Sequence, residues 1–442
     1  MRAQLAASNP DALRPLLNGA HPADIAEMMD RLGHADRHQV FSLLPPALGA
    51  KVLDEMSIEP TRQVLDQLSD ADAARLLELL PMDEVGEIVT EDVPHRRQAL
   101  LALLSPGKAQ AVNALLAYPP KSAGRMMTEK FATANPEMTV TETLAHLRQV
   151  HPDVETLTDI YVVNHEEQLV GVVSLREVVV AAPDQPLAAL MNTHLVTVAP
   201  ETGREEVARL VSHYDYLALP VVTPDRRVLG IVPVDDVIDT LVAEGTEDIL
   251  RFGGMEGGPA IDQPYFTVPV PLVIRKRVGW LLLLFLAETL TGTVLRSFEG
   301  ELAKVVALSF FIPLLIGTGG NTGAQTVSTL IRGLALGEIQ MRDIWRVIQR
   351  ELLSGLLLGL LLGAVAFVRS LMWGTTTELA LVVALSILAI CTWANTIGAL
   401  IPLIAHRFKI DPAVVSAPLI TTLVDATGLA IYLLIAKLIL HI

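Results

Sequence analysis

The sequence predicts a multidomain chain: an N-terminal α-helical superhelix, a duplicated α/β module, an acidic linking helix, and an all-α membrane domain of five transmembrane helices. Three observations carry that prediction. Charge is segregated: residues 1–264 hold 40 of the 49 acidic and 20 of the 33 basic side chains, and residues 265–442 hold the other 9 and 13. Two stretches of the acidic part repeat one another in order, and the long apolar runs lie in the basic part. A length of 442 residues accommodates roughly two to four domains.

An acidic soluble part repels nucleic acid, so no nucleic-acid partner is expected. It favours cations, or serves solubility alone. Cys391, the single cysteine, lies in an apolar run, which excludes a disulfide framework. The opening MRAQLAASNPDALRPLL lacks an apolar core of signal-peptide length, so the acidic part is expected in the cytosol.

Residues 1–123 read as the helical N-terminal domain. Short amphipathic units recur between positions 20 and 120 (ADIAEMMDRL, AKVLDEMS, TRQVLDQLS, AARLLELLP, AQAVNALLA), with Pro, Ser or Asp punctuating their starts. Units of this kind fit a superhelix of paired helices, each stacked on its neighbour; the alternative is an ordinary helical bundle.

The duplication follows. MMTEKFATANPEMTVTETLAHLR (126–148) parallels LMNTHLVTVAPETGREEVARLV (190–211), with Met127 matching Met191 and Pro136 matching Pro200. YVVNHEEQLVGVVSLREVV (161–179) parallels LPVVTPDRRVLGIVPVDDVI (219–238), with Gly171 matching Gly230. Each copy reads strand, helix, strand, turn, strand, helix. The pair resembles tandem CBS (cystathionine β-synthase-type) domains, placed at 124–187 and 188–237. Residues 238–264 then form an acidic connecting helix and linker, broken by the cluster GGMEGGP.

The membrane domain, 265–442, offers apolar stretches at about 278–296, 302–330, 352–369, 379–405 and 412–440, each able to cross a ~30 Å hydrocarbon core. With the N-terminus inside, the cytosolic flanks carry Arg275, Lys276, Arg277, Arg332, Arg342, Arg346, Arg350, Arg407 and Lys409. The outer flanks carry only Arg296, Lys304, Arg369 and Lys437. This asymmetry obeys the positive-inside rule and leaves the C-terminus outside. Gly355, Gly359 and Gly363 line one face of the third span and read as a close-packing seam.

Formal charges within the spans are few. Asp425 lies near the middle of the fifth, where an ionised carboxylate costs roughly 2.5–3.5 kcal/mol on insertion scales. No basic residue on that span stands one turn away, so water or a cation must supply the missing stabilisation; the competing reading is a protonated, packed aspartate. Glu288 in span one, beside Thr289, Thr291 and Thr293, reads as a helix–helix hydrogen-bonding residue. In IGTGGNTGAQTV (316–327), the polar groups of Thr318, Asn321, Thr322 and Gln325 are tolerable at depth only where they face water or protein. The glycines permit close backbone approach or a bend. Thr421 and Thr422 add hydroxyls one turn before Asp425. Spans two and five therefore read as a polar seam ending in a carboxylate, a cation pathway. The Gly-rich stretch lacks the Lys-Ser/Thr ending of a phosphate loop.

PLLIGTGGNTGAQTVSTLIRGLA, DPAVVSAPLITTLVDATGLAIY, the tandem CBS pair and the acidic helix VDDVIDTLVAEGTEDI together resemble the MgtE family of magnesium channels and transporters, over essentially the whole chain. The resemblance implies a homodimer in the bacterial cytoplasmic (inner) membrane, multi-pass, with its pore lined by spans two and five of both subunits. It implies Asp425 as the pore ion site, one carboxylate from each chain. Two positions depart from the family pattern: Ala324 stands where GNTGNQ has its second Asn, and Ala417 stands where VSNP has its Asn. Each removes an amide. Mg2+ gives up water reluctantly and is usually held by one or two carboxylates plus waters, which two symmetry-related aspartates would provide.

The segment 235–248 places Asp236 with Asp239, and Glu244 with Asp248, on shared helix faces. Divalent ions bridging such faces would draw acidic domains together. The resemblance carries Asp236, Asp239, Glu244, Glu247 and Asp248 over as regulatory metal ligands that let the acidic plug helix close the pore, together with Asp83, Glu87 and Asp215. It also implies that the first CBS copy can hold ATP or another adenine nucleotide, at Ser174, Arg176, Glu177 and Tyr161; in the second copy Pro233 lacks the hydroxyl. The histidines, among them His21, His34, His95, His151, His165 and His213, show no paired metal spacing and no nucleophile–base arrangement, so no enzyme is expected. The reading is a Mg2+-selective, Mg2+-gated import channel; the alternative is an ion-coupled carrier for Co2+, Mn2+ or Ni2+.

Overall fold

Proline and serine punctuate the first domain. Pro22, Pro46, Pro94 and Pro106 occupy first helical positions, where a missing N–H costs nothing. Ser69 and Ser105 accept from the backbone N–H of Asp72 and Lys108 at 3.2 and 3.4 Å, capping helices of only 8 and 11 residues. The structure, a computed structural model, describes residues 10–90, 93–150, 154, 156–255, 266, 268–335, 337–411 and 414–442. It divides into two compact units, the first ending at Glu244 and the second built on residues from Gly245 through the membrane helices. His151 and residues 256–264 of the linker lie outside the described residues.

Helices of the N-terminal domain stack on their second neighbours. Pro22–Asp30 packs on Pro46–Asp54, then Asp70–Leu77, then Pro94–Leu103; His34–Phe41 packs on Ile58–Leu65, then α1 (Met82–Thr90), then Pro106–Leu116. Two layers of short amphipathic helices thus enclose one apolar core that includes Ile25, Met29, Leu53, Leu77, Val85 and Leu100. This is the expected superhelix.

The first α/β copy contains β1 (Phe131–Ala134), α2 (Val140–Val150), β2 (Thr156–Val163), β3 (Leu169–Ser174) and α3 (Leu175–Val180). Its sheet order is β1-β2-β3, with β1 parallel and β3 antiparallel to β2. The second copy contains α4 (Arg204–Tyr214), the antiparallel pair β4 (Ala218–Val222) and β5 (Val228–Pro233), and α5 (Val234–Phe252). The expected first strand of that copy shrinks to a single parallel bridge, Val198 to Val221. Pro220 explains it: Val222 N–H donates to Val198 O and Val198 N–H to Pro220 O, but Pro220 has no N–H to carry the ladder further. The copies clasp each other through their matched residues. A Cβ on Gly171 would stand 2.8 Å from the Met191 Cβ, and one on Gly230 would stand 3.0 Å from the Met127 Cβ.

Among the described residues of the second unit, five helices are long and apolar enough to cross a membrane. They are α6 (Val270–Ser297), α7 (Ile312–Ala335), α8 (Ile344–Met372), α9 (Thr377–Arg407) and α10 (Ala417–Leu440). A 3-10 turn, Val306–Phe311, leads into α7. The seam on α8 is real: Cβ atoms on Gly355, Gly359 and Gly363 would lie 2.8–2.9 Å from backbone atoms of Cys391, Thr392, Leu388 and Ala384 on α9. Helix α7 packs on α9 and α10, and α6 packs on α10. A buried polar chain ties three helices together, since Thr326 Oγ1 donates to Asn395 Oδ1 at 3.0 Å and Asn395 Nδ2 donates to the Glu351 backbone oxygen at 3.3 Å.

Candidate functional site

Helix α7 runs unbroken from Ile312 to Ala335 through the glycines of GTGGNTG. They bring it close to its neighbours. A Cβ on Gly319 would meet Ile390 at 2.6 Å, one on Gly323 would meet Ile420 at 3.0 Å, and one on Gly320 would meet Thr421 Cγ2 at 2.7 Å and Asp425 Oδ1 at 3.5 Å. Asp425 is 9% exposed, and its Oδ1 is buried with no hydrogen-bond partner. A buried carboxylate oxygen without a donor is costly, and among the described residues no ion pair repairs it.

The other polar residues of the two helices divide. Asn321 and Gln325, four residues apart, are both exposed on one face of α7. Thr318 donates to Leu314 O within the helix at 2.7 Å, which leaves its oxygen able to accept. Thr421 and Thr422 likewise donate to Ala417 O and Pro418 O, each at 2.9 Å. Thr322 differs. It is 7% exposed and its hydroxyl lies 3.9 Å from Cys391 Sγ on α9, so it faces the interior of the protomer rather than the side shared by Asn321 and Gln325. One residue of helix rotation, about 100°, accounts for the difference. Glu288 is exposed on α6 and makes no hydrogen bond among the described residues, against the expected helix–helix role.

Acids of the first unit form a second cluster. Burial and then the charges of Asp83, Glu87, Asp54 and Asp236 push Glu84 up to about 9. Asp83 and Glu87 were readable in PMDEVGE; Glu84 between them, and Asp54 on another helix, were missed. Burial followed by Asp235 also raises Asp239 above the ordinary carboxylate range. Among the described residues no three His, Cys, Asp or Glu side chains converge as a metal site, so the cluster forms no closed cage.

Several acids already have cations or structural duties. Glu244 pairs with Arg204, and Lys121 Nζ lies 3.5 Å from it. Glu247 pairs with Arg251, which also pairs with Asp411 ahead of α10. Asp248 is half-buried on α5. Asp215 is the C-cap of α4, in the left-handed region at φ 54°, with its N–H donating to Val211 O. Glu247 and Arg251 are an i, i+4 pair within α5, but Arg204 and Asp411 lie far away in sequence and the role of Asp215 depends on backbone conformation, so charge spacing along α5 could not reveal those.

Family models match the divalent cation transporter domain MgtE over residues 312–435, the MgtE intracellular N domain over 20–121, and CBS domains over 123–184 and 187–243. A magnesium transporter MgtE of Thermus thermophilus is 40% identical over 437 residues, spanning 97% of this chain and 95% of the relative. The chain belongs to the MgtE family. A second MgtE relative, the magnesium transporter of Bacillus subtilis, is 32% identical over 428 residues, spanning 97% and 94%. Among solved structures, the cytosolic domain of the Mg2+ channel MgtE in complex with ATP is 38% identical at a TM-score of 0.51, covering 54% of this chain and 98% of that one. The relatives are named as transporters, not enzymes.

In this MgtE-family chain the residues expected to meet a nucleotide have local roles. Ser174 and Glu177 form a capping box on α3: Ser174 Oγ accepts from Glu177 N at 3.2 Å, and Glu177 Oε2 accepts from Ser174 N at 3.0 Å. Arg176 is exposed beside them. Tyr161 is buried, stacks edge-on to Phe131 at 5.7 Å, and keeps a buried hydroxyl without a hydrogen-bond partner. Burial, then Asp159, shifts that phenol upward.

Proposed function

We propose that this chain forms a homodimeric, Mg2+-selective channel that imports magnesium and is closed by cytosolic Mg2+. The observation that carries the reading is Asp425: a mid-span carboxylate whose Oδ1 lacks a donor, at the point where glycine lets α7 come against α10. A pair of such aspartates, one from each protomer, would hold a largely hydrated divalent ion without stripping its water. Exposed Asn321 and Gln325, with the oxygens of Thr318, Thr421 and Thr422, would accept or donate hydrogen bonds to that water. Selectivity would then come from fitting a hydrated ion, and the missing amides at Ala324 and Ala417 would loosen that fit.

Gating follows from charge. With the soluble domains in the cytosol and the C-terminus outside, Mg2+ at the acidic cluster of Asp54, Asp83, Glu84, Glu87 and Asp236 would relieve repulsion and favour compaction. Helix α5 would transmit the change. Its last turn packs Phe252 near Val327, Ala394, Ile420 and Val424 of the three pore-side helices. Such an arrangement suits Asp239, Glu247 and Asp248 as further metal contacts, and ATP at the first CBS copy as a second input, by analogy with the ATP complex of the solved relative.

Complementation of a cell that cannot import Mg2+ tests the pore. The intact chain should restore growth at low Mg2+ and Asp425→Ala should not; equal rescue refutes the assignment. For gating, removing residues 1–244 should yield currents that internal Mg2+ no longer inhibits. Uptake coupled to protons, with no unitary current steps, would instead identify a carrier.

A further inference from the structure

The geometry points to a phosphate-binding cavity in the membrane domain, where the end of α7 meets the start of α8, that takes the headgroup of an anionic phospholipid. The cavity has a volume of ≈ 720 Å³ and carries Arg332, Arg342, Arg346 and Arg350 on its lining. Its three acids are engaged. Glu338 lies 3.3 Å from Arg332, Asp343 lies 3.9 Å from Arg346, and Glu351 accepts from Asn395 Nδ2 at 3.4 Å. Arg342 and Arg350 are exposed and make no hydrogen bond or close ion pair among the described residues. Four guanidiniums face three carboxylates on the lining, and the two that make no close ion pair suit a phosphate, whose oxygens accept their paired N–H groups.

The surroundings select the source of that phosphate. Directly after Arg350, α8 presents Leu352, Leu353, Leu356 and Leu357, each 48–57% exposed. A free anion has no use for such a wall, whereas a phospholipid places its acyl chains on it and its headgroup in the cavity. The assignment is independent of which ion the channel passes.

Native mass spectrometry of the full chain, purified in detergent and supplied with equal phosphatidylglycerol and phosphatidylcholine, tests it. The intact chain should retain phosphatidylglycerol preferentially, and excess inorganic phosphate should not displace it. Arg342→Gln with Arg350→Gln should weaken retention by about tenfold, the worth of one charge-assisted hydrogen bond. Arg275→Gln with Arg277→Gln, outside the cavity, should leave the preference intact. Unchanged preference in the first double variant overturns the proposal, as does equal loss in both. Displacement by inorganic phosphate without any preference between lipids overturns the lipid source and assigns the cavity to a free anion. If the glutamine pair fails to fold, Arg342→Lys with Arg350→Lys should keep the charge yet lose the advantage over phosphatidylcholine in part; full retention counts against guanidinium recognition.

Discussion

Asp425 Oδ1 lies 3.5 Å from the point a Cβ on Gly320 would occupy, and Thr421 Cγ2 lies 2.7 Å from the same point. The approach of α7 to α10 at the carboxylate therefore depends on a missing methyl group. Gly320→Ala should cost about 1–3 kcal/mol through overpacking and displace Thr421 one turn before the acid. Mg2+ flux should drop well below that of the intact chain while the protein still folds. Unaltered flux would show that this contact does not shape the ion path.

The α8–α9 seam makes a purely structural prediction. A Cβ on Gly359 meets the Leu388 backbone at 2.8 Å, and backbone cannot rotate away. Gly359→Ala should destabilise the detergent-solubilised chain by about 1–3 kcal/mol, read as a lower Tm. Gly317→Ala, on α7 with nothing within 4 Å, should not lower it.

Glu84 predicts a pH dependence. Its folded pKa, about 9, lies above the ordinary 4.5, so the folded chain holds a proton that the unfolded chain releases. That contribution is fully present below pH 4.5 and is lost as pH rises toward about 9. Glu84→Gln should flatten this decline, so that the variant melts above the intact chain near the top of the window and close to it at the bottom. Near pH 9, where Glu84 begins to ionise, the variant should also gain less Tm from added Mg2+, because less repulsion remains to relieve. Parallel pH–Tm curves would contradict the placement of Glu84 at the centre of the cluster.

Tyr161 separates packing from ligand binding. Removing its buried, unpartnered hydroxyl in Tyr161→Phe should raise stability by about 1 kcal/mol without nucleotide. Ser174→Ala should lower it by a similar amount through loss of the capping box. Calorimetric titration with ATP then distinguishes roles: weaker binding in both variants supports a nucleotide site in the first CBS copy, and unchanged binding removes these residues from it.

Much of the architecture was legible because it rests on local pattern. The recurring amphipathic units, the five apolar runs and the glycine seam follow from local pattern, although the helices around those runs have other ends than the runs themselves, and the clasp of Gly171 on Met191 and Gly230 on Met127 was written as a duplication. Long-range compensation was not legible. Nothing near Glu244 announces Arg204, forty residues earlier, and nothing in PMDEVGE says that Glu84 is the acid that burial raises. Ser174 and Glu177 were expected to meet a nucleotide and form a capping box, and their spacing alone cannot separate the two roles. Thr322 could have been placed correctly from helix geometry, since it stands one residue, and so about a quarter turn, from Asn321.

Flux of Mg2+ into vesicles containing the purified chain, with an indicator dye inside, tests the central claim most directly. The intact chain should admit Mg2+, and Asp425→Ala, with an unchanged Tm, should reduce entry to that of empty vesicles. Entry at the intact rate through the folded alanine variant would contradict the account.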